Sequence, residues 1–101
     1  MIRKRTKFQI INSMLKEIED YEKFIKLGIA KTRLIRRTGL EYNGFILYFK
    51  QLEKNGLIDI RDKKVFINKK GKQYLKKSSL LLLEIRKLNN KYSISLDEVN
   101  Y

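Results

Sequence analysis

The side chains best equipped for chemistry are cations and amides gathered between positions 31 and 64. Lys31, Thr32, Arg33, Arg36 and Arg37 come first, then Asn43, Lys50, Gln51 and Lys54, then Arg61, Lys63 and Lys64. An asparagine or glutamine amide can form two hydrogen bonds with an adenine edge, whereas lysine and arginine pair with phosphate. That mixture suits a polyanion with readable edges. It suits no bond-breaking reaction. The chain has no His and no Cys, which removes the usual zinc ligands, a thiol nucleophile and the ordinary general base together. The acids are scattered except for Glu17, Glu19, Asp20 and Glu22, which read as the solvated face of a helix. An enzyme is not expected, and no cofactor, metal or small-molecule ligand is evident.

Net charge agrees with that reading. Twenty-four Lys and Arg oppose eleven Asp and Glu, a formal charge of +13 over 101 residues, and the excess is spread over both halves. So basic a balance implies an acidic partner, with nucleic acid ahead of an anionic membrane surface. An apolar fraction of 43% is ordinary for a small folded domain. No apolar run reaches the ~18 residues of a membrane span and no leader-like apolar stretch opens the chain. The chain therefore reads as intracellular, nucleoid-associated or in a host cytoplasm.

The elements that must position these groups follow from periodicity and caps. After a basic arm (1–6, with Arg3, Lys4 and Arg5), Phe8, Ile11, Leu15 and Ile18 recur at helical spacing from Lys7, with Thr6 as cap. Gly28 is a plausible break. Ile29, Leu34 and Ile35 supply the buried side of a short helix, Lys31 to Arg37. Gly39 suits the turn that follows, because glycine takes positive φ freely. Tyr42, Phe45, Phe49 and Leu52 form the core stripe of a helix from Tyr42 to Asn55, closed by Gly56. Leu57 to Arg61 and Lys64 to Ile67 read as strands about Asp62-Lys63. Helix, glycine turn, helix and hairpin is the order of a winged helix-turn-helix, whose second helix enters a major groove.

Asn68 then caps a helix from Lys69 to about Tyr92, a rod of roughly 35 Å. Gly71 costs it about 1 kcal/mol. Tyr74, Ser78, Leu81, Ile85, Leu88 and Tyr92 fall on a heptad seam, flanked by Leu75, Ser79 and Leu82. The run Leu80 to Leu83 is apolar on nearly every side, more surface than one domain can cover. Such patches mark interfaces.

The ordered pieces Lys31-Thr32-Arg33, Leu40-Glu41-Tyr42, Asn55-Gly56-Leu57-Ile58 and Asn68-Lys69-Lys70-Gly71 carry a resemblance. Over residues 7 to about 92 the chain resembles the small archaeal winged helix-turn-helix DNA-binding proteins of the ten-a type, including virus and plasmid relatives. Each piece recurs widely; their order and spacing together are more specific. Asn68 stands where the family often has Thr, and Gly44, Ile46 and Leu47 where polar residues are commoner. The resemblance implies a homodimer whose long C-terminal helices pair in an antiparallel coiled coil, with Tyr74, Ser78, Leu81, Leu82, Ile85, Leu88 and Tyr92 at the interface.

The expected fold is thus mainly α with a small β-hairpin wing: arm 1–6, winged domain 7–68, dimerisation helix 69–92 and tail 93–101. The expected partners are double-stranded DNA and a second copy. Base-contact candidates are Asn43, Gly44, Leu47 and Gln51. Asn43 reads alternatively as a helix-start residue satisfying local backbone, and Leu47 as a second packing surface. Backbone candidates are Lys31, Thr32, Arg33, Arg36, Arg37, Lys50, Lys54, Arg61, Lys63 and Lys64, with Arg33 alternatively an ion-pair partner. A dimeric transcriptional regulator is the first expectation, a non-specific architectural chromatin protein the second, and a protein–protein assembly module the third.

Overall fold

The computed structural model describes residues 6–91. The basic arm ahead of Thr6, Tyr92 and the tail 93–101 lie outside the described residues. Four helices and three strands follow in the order α1 (Lys7–Ile25), β1 (Ile29–Ala30), α2 (Lys31–Thr38), α3 (Tyr42–Lys54), β2 (Ile58–Arg61), β3 (Lys64–Ile67) and α4 (Lys69–Lys91).

Local chemistry sets the boundaries. Thr6 Oγ1 accepts from Gln9 N at 3.1 Å while Gln9 Oε1 accepts from Thr6 N at 2.9 Å, so α1 opens on a capping box. It ends at Lys26, which takes φ 67° and donates its amide to Glu22 O. The break therefore falls two residues before Gly28. Gly28 serves close approach instead: a Cβ there would lie 2.6 Å from the Phe66 ring and 2.8 Å from Lys64 Cβ. Helix α3 closes on Gly56 at φ 67°, with Gly56 N donating to Glu53 O and Leu57 N to Leu52 O. Those two bonds form a Schellman motif. Asn68 Oδ1 accepts from Gly71 N at 2.8 Å and starts α4.

Strand β3 is central in an antiparallel sheet of order β1-β3-β2. The β2–β3 hairpin turns through Asp62 and Lys63, both at positive φ (50° and 61°), with Arg61 opposite Lys64. This is the type I′ geometry that matches strand twist. Ile29 belongs to β1, opposite Val65, and not to the second helix as its apolar neighbours suggest. Because β1 is only two residues long, Ile67 N donates to Glu22 Oε2 at 2.8 Å, so an α1 side chain completes the sheet.

The core gathers Met14, Leu15 and Ile18 of α1, Ile29, Leu34, Phe45, Leu52 and Val65, all at most 1% exposed. Phe45 and Phe49 stack at 5.4 Å between ring centres. Tyr42 does not join them. It is 62% exposed.

Helix α4 lies along α1 with Gly71, Leu75 and Ser78 buried. Ser78, expected on a seam between subunits, is occupied within its own subunit. Its hydroxyl accepts from Asn12 Nδ2 at 2.7 Å and donates to Leu75 O, and the same amide reaches Ser79 Oγ at 3.2 Å. Buried polar groups are costly unless paired, so this knot holds α4 in one register on α1. Asn12→Ala is expected to cost about 1–3 kcal/mol, read from the urea midpoint; an unmoved midpoint would show that the knot fixes nothing. Beyond Ser79 the helix changes character, with Leu80, Leu81, Leu83 and Leu88 all 45–55% exposed. No described helix is long and apolar enough to cross a membrane.

Candidate nucleic-acid interface

Helix α3 sorts its residues cleanly. Phe45, Phe49 and Leu52 point inward, while Asn43, Leu47, Lys50 and Lys54 are exposed. Spacings of 4, 3 and 4 place those four on one ridge. No carboxylate interrupts the ridge; Glu53 lies to one side. Gly44 adjoins it with nothing within 4 Å of where a Cβ would stand, so its backbone is open to close approach. Gln51 lies further round, half-buried beside a cavity between α1, α3 and α4.

Exposed cations also lie on α2 and on the β2–β3 hairpin. Lys31, Arg33, Arg36, Arg61, Lys63 and Lys64 are all exposed, and none of them joins an ion pair among the described residues. Several are steadied over aromatic rings: Lys31 Nζ at 4.8 Å from the Phe49 centroid, Arg61 at 4.2 Å from Phe66, and Arg33 at 5.9 Å from Tyr21. Arg37 is turned away towards α1. Its guanidinium meets Glu17 Oε2 at 3.3 Å and lies over Tyr21. Arg37, and not Arg33, is therefore the ion-pair partner in α2.

Two helix starts also lack a side-chain cap. Ala30 precedes α2 and offers no side-chain acceptor, and Glu41 makes no cap bond to α3. First-turn amides left in this way favour anions. The Thr32 hydroxyl is exposed beside the first set.

A family model of winged helix-turn-helix proteins matches residues 4–90. The chain belongs to that family. No curated protein sequence matches it. Among solved structures it is similar to Sso10a-2, described as a DNA-binding protein from Sulfolobus solfataricus. The TM-score is 0.72 at 22% identity, over 88% of this chain and 90% of that one. That likeness is one of fold.

In this winged helix, α2 and α3 form the helix-turn-helix, Gly39 sits at φ 69° in the turn, and β2–β3 is the wing. Thus α2, the α3 ridge and the wing bring the backbone candidates Lys31, Thr32, Arg33, Arg36, Lys50, Lys54, Arg61, Lys63 and Lys64 to the surface. Two features escaped the sequence reading. Tyr42 is an exposed aromatic beside the ridge, and Arg37 is engaged within the subunit. Tyr42 shares the phase of the buried stripe, so periodicity alone gave no signal.

Proposed function

We propose that the protein binds duplex DNA, with α3 in the major groove and the wing along the backbone, as a dimeric transcriptional regulator. The observation that carries this reading is the exposed ridge Asn43-Leu47-Lys50-Lys54, free of acids, together with exposed cations of α2 and the wing that join no ion pair among the described residues. Asn43 is suited to adenine and Leu47 to a thymine methyl, with Gly44 admitting the backbone. The cations of α2, α3 and the wing meet phosphate. The DNA-binding description of Sso10a-2 supports the same partner.

A second reading, an architectural protein that coats DNA with little sequence choice, is favoured by the position of Gln51. With that amide beside a cavity, Asn43 is left as the main side chain on the ridge able to read a base edge. Selection of bound sequences from a random duplex pool at two salt concentrations separates the readings. Discrete recovered sites support a regulator; no enrichment supports coating. For a regulator, Asn43→Ala is expected to remove about 1–3 kcal/mol of discrimination at one base position. Arg36→Ala should weaken all duplexes alike and lower the salt slope by about 1 per subunit, about 2 for the dimer. The reverse pattern would overturn these roles.

The dimer we place on the far half of α4. Leu81 and Leu88 are exposed there at heptad spacing, and Leu82 and Ile85 are half-buried beside them. Tyr74 packs against its own core, so it lies at most at the edge of that contact. Because Leu81 and Leu88 are exposed within the subunit, glutamates at both positions should leave the fold intact and yield monomers by light scattering. A dimer that survives both substitutions would place the contact elsewhere.

A further inference from the structure

The open-sided cavity between α1, α3 and α4 is about 550 Å³, within the range of small-molecule sites. Its floor is Ile11, Leu52 and Leu57, each at most 6% exposed. Lys7 from the first turn of α1 and Lys70 from the first turn of α4 stand on its rim, both exposed and neither ion-paired among the described residues. Tyr74 adds a half-buried ring whose hydroxyl has no hydrogen-bond partner among the described residues. No carboxylate lines the cavity.

We propose that this cavity binds a small amphipathic carboxylate. The apolar floor takes a body of one or two rings or a branched chain, and the lysine rim takes the charge. Both halves of that description come from the walls. An uncharged ligand would forgo the charge-assisted contact with the two lysines, and a bare anion would make no use of the apolar lining. The exposed leucines of the proposed dimer contact begin a full turn or more further along α4, so the two meet at most at Tyr74. Its walls include the last turns of α3 and the first turns of α4, so an occupant bears on the helix facing the groove and on the long helix at once. No single segment announces such a site in the sequence, since its residues are spread from position 7 to position 74.

The test is a titration of the ¹⁵N-labelled full chain with 3-phenylpropionate, followed by amide shifts in about 150 mM NaCl without DNA. The expected result is saturable shifts concentrated at Ile11, Leu52, Leu57 and Tyr74. A dissociation constant on the order of 1 mM is expected, in keeping with about eleven heavy atoms. Neutral 3-phenylpropanol lacks the charge-assisted contact and should bind about tenfold more weakly. Acetate, with no apolar body, should give no saturable shift there. Lys7→Gln with Lys70→Gln, both at exposed positions, should weaken 3-phenylpropionate by a similar factor while leaving the amide spectrum folded. Equal binding of the neutral alcohol, shifts scattered over the basic surface, or no shift at the floor would each overturn the proposal. Loss of DNA binding in a separate gel shift would bear on the DNA reading alone.

Discussion

Gly71→Ala is expected to lower stability by about 3 kcal/mol, the size of an overpacked core contact, and so to lower Tm by roughly 12–24 °C. Alanine is the better helix former by about 1 kcal/mol, so the helix itself would gain. Packing decides the sign. A Cβ on Gly71 would stand on the Leu57 carbonyl oxygen and 2.8 Å from Ile67 Cγ1. Leu57 O also accepts from Asn68 N at 3.3 Å, within the junction that starts α4. Backbone cannot swing aside as a side-chain tip can, so α4 must lift from the domain. Gly44→Ala supplies the contrast. It too is a helical glycine, but its Cβ would meet nothing within 4 Å, and alanine there should stabilise by up to about 1 kcal/mol. Thermal melts of both variants check the pair. Equal effects of one sign would show that helix propensity governs both positions. If α3 lies in the major groove, Gly44→Ala should also weaken DNA binding despite its added stability.

Affinity for duplex DNA is expected to fall by about 10³ to 10⁵ between 50 and 200 mM salt if a dimer engages about six to ten phosphates. Those contacts would be about half of the sixteen that a dimer offers, from eight cations per subunit that face solvent and join no ion pair among the described residues: Lys31, Arg33 and Arg36 around α2, Lys50 and Lys54 on the ridge, and Arg61, Lys63 and Lys64 on the wing. Arg37 is left out because Glu17 already holds it. Fluorescence anisotropy with a labelled duplex over that salt range measures the slope. Double charge reversal at Lys50 and Lys54 should flatten it markedly, and an unchanged slope would remove α3 from the contact.

Much of this arrangement was legible in the residue order because it is set locally. The Thr6 and Asn68 caps act across three residues, the hairpin turn lies between adjacent β-branched runs, and Phe45, Phe49 and Leu52 repeat at helical spacing. What was not legible depends on distant partners. A two-residue strand has no period to detect, so Ile29 showed its place only through Val65, far along the chain. Gly71 appeared merely as a helix cost, although its role is to let α4 approach the Leu57 carbonyl. Glu22 and Arg37 looked like solvated charges until Ile67 N and Glu17 were brought beside them. Along α4, one apolar ridge faces α1 through Gly71, Leu75 and Ser78, and another is offset from it by a fraction of a turn. The leucine block feeds both, which is why Ser78 could be placed on the outer ridge by spacing alone. The cavity is illegible for a similar reason, being assembled from three helix ends.

Amide shifts of ¹⁵N-labelled protein on adding a short duplex most directly test where α3 stands. Placement of its outward ridge in the groove predicts the largest changes at Asn43, Leu47, Lys50 and Lys54, with further changes at the start of α2 and the wing turn. A bound duplex that leaves those four amides unmoved would contradict it.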